Sequence, residues 1–180
     1  VGETGGKDFV FVHPSADLDA VAVACVRGAY EYQGQKCSAA SRLYVPASLW
    51  PELKERLVAL IGEIRMGDVA DFRNFMGAVI DERALARIRS YLDLALSDPN
   101  CTVLAGGKVD DTQGFFVEPT LVETKDPEHR LMREEIFGPV LTAWVYPDAE
   151  YERALELCDE TSPYGLTGSF FARDRAAIEK

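Results

Sequence analysis

The residue types that could do chemistry gather in segments that contain glycine. Gly34-Gln35-Lys36-Cys37-Ser38 places a cysteine in a polar turn beside a lysine, whose charge favours a thiolate. Cys37 is off any helical apolar face. Its sequence surroundings alone leave two readings open, a reactive thiol or a loop cysteine without a role. Glu3 precedes Gly5-Gly6-Lys7, and paired glycines let backbone pass close to a ligand or another strand. A carboxylate held there could act as a general base if its surroundings raised its pKa. Taken alone, a solvated acid in a turn is the simpler account of Glu3. Glu134-Glu135-Ile136-Phe137-Gly138-Pro139 joins an acidic pair to a fixed-looking loop that leads into an apolar run. Acidic pairs of this kind are commonly solvated faces.

The other cysteines, Cys25, Cys101 and Cys158, fall on or beside helical and strand patterns and read as packing residues. No C-x-x-C pair is present, which argues against a zinc ribbon or a thioredoxin-type site. His13 and His129 have no partner at metal-ligand spacing, so no metal is expected. Thirty acidic residues against 19 basic ones give a formal charge of -11, which disfavours a phosphate-binding nucleic-acid surface. The apolar share of 47% is that of a globular chain. No apolar run is long enough for a bilayer, and no signal peptide is visible. The 180 residues open as if in mid-strand and stop inside a helical pattern. They read as an internal piece of a longer chain, with targeting signals lost with the ends.

Alternating elements must position these segments. Residues 9–12 form an apolar β-rich run, and Ser15 or Asp17 can cap the helix that follows. Leu18, Val21, Ala22, Cys25, Val26 and Ala29 give that helix one buried face, ending near Tyr32-Gln33-Gly34. Residues 43–46 are the next strand. Ser48 is expected to cap a second helix with Pro51 in its first turn, Leu53, Leu57, Leu60, Ile61 and Ile64 inward, and Gly67 as its stop. A brief extended piece at 78–80 precedes a third helix opened by Asp81, with Leu85, Ile88, Leu92 and Leu96 inward. Residues 102–105, 115–122 and 140–146 read as strands, the second irregular or at an edge because of Pro119. A helix over 150–159, a strand over 168–171 and a helix capped by Asp174 follow. Such alternation predicts an α/β layered domain with a largely parallel sheet. No G-x-G-x-x-G or Walker motif occurs, so a nucleotide would be held mostly by residues outside this chain.

Taken together, the segments resemble the aldehyde dehydrogenase superfamily. Glu3-Thr4-Gly5-Gly6-Lys7 is similar to its Glu-Leu-Gly-Gly-Lys motif, with Thr4 in place of Leu. Gly34-Gln35-Lys36-Cys37 matches Gly-Gln-x-Cys of its nucleophile loop, and residues 134–140 match Glu-Glu-Ile-Phe-Gly-Pro-Val throughout. Gly114-Phe115-Phe116-Val117-Glu118-Pro119-Thr120 and Tyr164-Gly165-Leu166-Thr167 also fit. Within the superfamily, the run from Gly28 to Ala39, Ser48-Leu49-Trp50-Pro51 and the Leu104 to Asp111 stretch most resemble the pyrroline-5-carboxylate dehydrogenases, which oxidise glutamate γ-semialdehyde.

The resemblance implies that residues 1–180 are part of an aldehyde dehydrogenase catalytic domain, incomplete at both ends and without the Rossmann-type NAD domain. It implies Cys37 as nucleophile, forming a thiohemiacetal and then a thioester, and Glu3 as the base that activates water for hydrolysis. The Cys37 N–H would form part of an oxyanion hole. Glu135 would bind ribose hydroxyls of NAD, Phe137 would pack beside the nicotinamide, and Ser38 would bind the substrate α-carboxylate. For Ser38 a turn or capping hydroxyl is the alternative. The oxyanion Asn, the downstream carboxylate loop and the dimer-supporting strand arm are missing, so the isolated 180-residue piece is expected to be inactive. The parent is expected to be a homo-oligomer in bacterial cytoplasm or the mitochondrial matrix. Competing readings are a dehydrogenase of another aldehyde such as succinate semialdehyde, a catalytically silent structural relative, and a thiol hydrolase using Cys37.

Overall fold

A computed structural model describes residues 4–179. Its centre is a six-stranded sheet. β1 (Asp8–Val12), β2 (Ala40–Pro46), β6 (Thr120–Thr124), β7 (Val140–Tyr146) and β8 (Gly168–Phe171) run parallel, and β3 (Cys101–Ala105) pairs antiparallel with β6. The order is β3-β6-β7-β2-β1-β8. A separate hairpin joins β4 (Val109–Asp110) to β5 (Phe116–Val117). The α/β class and the mostly parallel sheet agree with the alternation in the sequence.

Alternation along the strands builds two faces. Val10, Val12, Leu43, Val45, Leu141 and Ala143 pack on one side against α1 (Leu18–Tyr30) and α2 (Trp50–Gly62). Phe11, Tyr44, Trp144 and Tyr146 face the other way, toward Ala154 and Cys158 of α5 (Tyr151–Glu160). Phe11 stacks on Tyr44, Tyr146 and Phe170 at 5.5–5.8 Å between centroids. The Tyr146 hydroxyl, at the edge of this layer, donates to the Val12 carbonyl at 2.6 Å. α3 (Glu82–Ser97) covers the β3 end through Leu85, Ile88, Leu92 and Ala95.

Of the two candidate caps on α1, Asp17 is the one used: its carboxylate accepts from the N–H groups of Asp19 and Ala20. Asp81 caps α3 and Asp174 caps α6 (Arg175–Ile178) as expected. Other expectations need correction. Ser48 does not cap α2, because Leu49 occupies that position and the Ser48 N–H and hydroxyl instead bond Asp148 across the sheet end. α2 stops at Gly62, well before Gly67. Leu96 is 61% exposed, because the apolar stripe of α3 passes through Ala95. Pro119, which has no N–H to give a ladder, divides the expected 115–122 strand into β5 and β6. β6 is then an interior strand of the main sheet. The four-residue α4 (Arg130–Arg133) gave no periodic signal, being barely one turn long. Among the described residues, no helix is long and apolar enough to cross a membrane.

Two cations are buried where β1 meets β2. Arg42 donates from Nε to the Lys7 carbonyl at 2.7 Å, and from Nη1 to the Cys158 carbonyl and the Tyr44 hydroxyl. Lys7 is 1% exposed. Burial first, and the like charge of Arg42 second, pull its ammonium down to about 7 against the attraction of Glu135 and Glu134. Below pH about 7 the ammonium is charged in both states and the burial cost is fully in force. Between about 7 and the ordinary 10.5 the unfolded chain keeps a proton that the folded chain sheds, so stability rises with pH. The native protein is therefore expected to gain stability relative to Lys7→Met from about pH 7 to pH 10 in denaturant titrations. Parallel curves for the two proteins would contradict this.

Candidate active site

The motif segments all enter the sheet from one side. Gly5-Gly6-Lys7 leads into β1, Cys37-Ser38 into β2, and Glu135-Ile136-Phe137-Gly138 into β7. Those strands are parallel neighbours, so their amino ends lie side by side. A cleft of about 710 Å³ opens there, lined by Thr4, Gly5, Gln35, Lys36, Cys37, Ser38, Glu135 and Phe137. The expected residues Cys37, Ser38, Glu135 and Phe137 thus share one cavity. Glu3 lies outside the described residues.

Cys37 and Ser38 are the central residues of a turn closed by the Ala39 N–H on the Lys36 carbonyl at 3.1 Å. Both are exposed. By contrast Cys25 is fully buried and its thiol is pushed up to about 12, as is that of Cys158. The Cys37 N–H has no hydrogen-bond partner among the described residues. Lys36 lies 3.9 Å from Glu31, so its charge is shared with that carboxylate.

The turn is held by backbone contact. A Cβ on Gly6 would overlap the Cys37 carbonyl, so only glycine lets the strand lie this close to the turn. Behind the turn, Gly34 takes φ +64° and a Cβ there would meet the Gly138 carbonyl. Tyr32 and Gln33 also have positive φ, which ends α1 sharply and starts the turn. Gln33 spans to residues 77 and 78, accepting from the Gly77 N–H and donating to the Ala78 carbonyl. Gln35 accepts from the Ile80 N–H at 2.9 Å. Gln35 belongs to the Gly-Gln-x-Cys match, but the sequence assigns neither glutamine this tethering role, because nothing local distinguishes a tethering amide from a solvated one.

Adjacent glutamates have separate tasks. Glu134 receives a fork of bonds from Arg130 and a bond from the Tyr91 hydroxyl at 2.8 Å, which together hold its carboxyl down to about 2. Glu135 accepts from the Gly6 N–H through Oε1 at 2.8 Å. Its Oε2 has no hydrogen bond among the described residues, although the side chain lines the cleft. The expectation of a plain solvated pair therefore fails for both. Phe137 has φ +58°, a sparsely populated conformation for a residue with a Cβ. The guanidinium of Arg87, from α3, lies 6.0 Å from the centre of its ring.

Neither histidine lines the cleft. His13 bonds Ser15, and His129 is buried against Asp98 at 3.2 Å while its Nδ1 accepts from the Leu131 N–H. Among the described residues, no group of His, Cys, Asp and Glu side chains could hold a metal ion. Gly6→Ala is expected to cost about 1–3 kcal/mol and to change the alkylation rate of Cys37 by iodoacetamide. Gly165→Ala, where a Cβ would meet nothing within 4 Å, serves as the control and should leave both unchanged. Equal behaviour of the two variants would refute the close approach at Gly6.

Comparison with known proteins agrees with the motifs. The sequence pattern described as "Aldehyde dehydrogenase family" matches residues 1–180. The mitochondrial delta-1-pyrroline-5-carboxylate dehydrogenase of Danio rerio is 52% identical over 180 residues, and that of Homo sapiens is 54% identical. In each case 99% of this chain aligns with 32% of the relative, so the chain spans about a third of their length. The crystal structure of the Delta-pyrroline-5-carboxylate dehydrogenase from Mycobacterium tuberculosis bound with NAD superposes with a TM-score of 0.92 at 45% identity, covering 99% of this chain and 32% of that one. With its motifs grouped at one cleft and the family pattern matched from end to end, this chain belongs to the aldehyde dehydrogenase family.

Proposed function

We propose that these residues are the nucleophile-bearing part of an NAD-dependent dehydrogenase that oxidises L-glutamate γ-semialdehyde to L-glutamate in proline degradation. The observation that carries this reading is the single cleft at the amino ends of β1, β2 and β7, with Cys37 and Ser38 on one wall and Glu135 and Phe137 on another. Relatives named as delta-1-pyrroline-5-carboxylate dehydrogenases, at more than half identity, support the choice of substrate. In this reading residues 1–180 are part of the catalytic domain, and the protein works as a homo-oligomer. Its compartment is the mitochondrial matrix or bacterial cytoplasm.

The residues suit the dinucleotide. Glu135 has an oxygen free to accept from ribose hydroxyls, and Phe137 offers a ring on the cleft wall beside which a nicotinamide can pack. NAD, when bound, supplies the acceptor for the hydride that leaves the substrate carbon. The Cys37 sulfur adds to the aldehyde carbon, and the uncommitted Cys37 N–H donates to the oxygen that gains charge. Loss of hydride from this thiohemiacetal leaves a thioester on Cys37. Glu3 takes a proton from water, the resulting nucleophile attacks the thioester, and Cys37 leaves as thiolate with release of the acid. Ser38, the next residue in the turn, donates its hydroxyl to the substrate α-carboxylate. A thiol hydrolase that relies on a histidine base would need one beside Cys37, and both histidines are engaged elsewhere.

Cys37→Ala is expected to abolish NADH formation while NAD still binds; retained turnover would end the assignment. Glu3→Gln should slow thioester hydrolysis more than its formation, giving a burst followed by slow steady-state turnover. The full-length protein should prefer glutamate γ-semialdehyde to succinate semialdehyde and simple alkyl aldehydes in kcat/KM. Ser38→Ala should reduce that preference about tenfold, the weight of a hydrogen bond to a charged group. Equal use of the aldehydes would keep the Cys37 chemistry and remove the proline substrate. The isolated 180-residue chain should produce no NADH, and measurable turnover by it would overturn that expectation.

A further inference from the structure

The proposed chemistry leaves Tyr164-Gly165-Leu166-Thr167 without a task, although this stretch fits the family pattern. The segment is fastened on both sides to the elements that build the cleft. The Thr167 N–H donates to Asp8 Oδ1 at 3.0 Å, and Asp8 is buried at the start of β1, just after Gly5-Gly6-Lys7. On the other side the buried Ser162 hydroxyl accepts from the Tyr164 N–H and donates to the Arg133 carbonyl, both at 3.4 Å, just ahead of Glu134 and Glu135. Between these anchors the Tyr164 ring lies against the backbone of Gly5. A Cβ on Gly5 would stand 2.6 Å from Tyr164 Cε1 and 3.2 Å from Glu135 Oε2, so ring and carboxylate flank the same point. Oε2 is the oxygen that the Gly6 N–H leaves free. Glu135 also lies between two cavities. One is the cleft, and the other is a hollow of about 490 Å³ whose lining includes Pro163, Tyr164, Arg130 and Arg133. That hollow offers Oε2 both space and cations, so a carboxylate held by the Gly6 N–H alone would have a competing place to point.

We propose that Tyr164 is a positioning residue for Glu135: its ring, held on Gly5 by the Ser162 and Thr167 anchors, closes the side toward the second hollow and keeps Glu135 Oε2 turned to the cleft for a ribose diol. The proposal rests on the reading of Glu135 as a ribose ligand. The ring acts by occupying space. Its contacts at Gly5 are made by ring carbons, so a phenylalanine can serve as well, and a small or aliphatic side chain cannot. Only glycine at position 5 lets the ring come this close.

The test uses the full-length protein and the variants Tyr164→Phe, Tyr164→Ala, Tyr164→Leu, Glu135→Ala and the Tyr164→Ala/Glu135→Ala double. Steady-state NADH formation gives kcat and KM for NAD, and thermal unfolding without NAD gives stability. Tyr164→Ala is expected to raise KM for NAD about fivefold with kcat changed less than about twofold, while Tyr164→Phe keeps the native KM. Tyr164→Leu should also raise KM, and it keeps the test open if the Ala variant misfolds. Glu135→Ala should raise KM for NAD by itself, and adding Tyr164→Ala should then cost nothing further. Three results would each overturn the proposal: a KM within about twofold of the native value in both Tyr164→Ala and Tyr164→Leu, a Phe variant as impaired as the Ala one, or effects that multiply in the double variant. If Glu135→Ala alone leaves KM unchanged, the ribose reading fails instead. The stability cycle without NAD then decides the Tyr164 link: coupling between the two changes upholds it, and additivity refutes it.

Discussion

Gly6 has no room for a side chain, because the carbonyl of Cys37 occupies that space. This one close approach fixes the distance between the strand that enters β1 and the turn that enters β2. Much of the site follows from it. The Gly6 N–H, turned toward the β7 side, catches Glu135, and the turn between Lys36 and Ala39 rests on the glycine. Backbone contact of this kind has no rotamers, so it sets geometry more rigidly than paired side chains would.

Parallel pairing does the rest. β7, β2 and β1 are adjacent and point the same way, so segments far apart in sequence are brought side by side, where Gly6 meets both Cys37 and Glu135 and Gly34 meets Gly138. Open α/β sheets commonly bind ligands beyond the carboxyl ends of their strands. In this chain the cleft lies at the amino ends instead. The loops there are not helix starts, and their stiffness comes from the Gln33 and Gln35 tethers and from left-handed residues at 32, 33, 34 and 137.

The sequence was most legible where one signal acts alone. β1, β7 and β8 are short apolar runs between breakers, and Asp81 and Asp174 are acidic caps ahead of helical spacing; all appear where expected. Ser48 misled because a hydroxyl before a proline reads as a cap whether it bonds its own helix or a distant carboxylate. Pro119 pointed to an irregular strand, but only pairing partners reveal that it separates an outlying hairpin from an interior strand. For the site, motif residues 37, 38, 135 and 137 were legible as a group. The division of labour between Glu134 and Glu135 was not, since it depends on Tyr91 and Arg130 on one side and Gly6 on the other. Lys7 was hidden for the opposite reason: in a string, a lysine beside glycines suggests solvent, and only the folded sheet buries it.

The carboxyl ends of the strands are clasped by short polar links. Ser15 accepts from the Arg173 and Asp174 N–H groups, joining the end of β1 to the end of β8, and Ser48 with Asp148 joins β2 to β7. The two ends of the sheet therefore carry different demands: polar links at the carboxyl ends, the cleft at the amino ends. Sequence drift at the carboxyl end is limited by whether the strands stay in register. Under the proposed function, drift at the amino end is limited by whether the cleft still reacts, so substitutions that spare folding and yet silence the protein are expected to concentrate there.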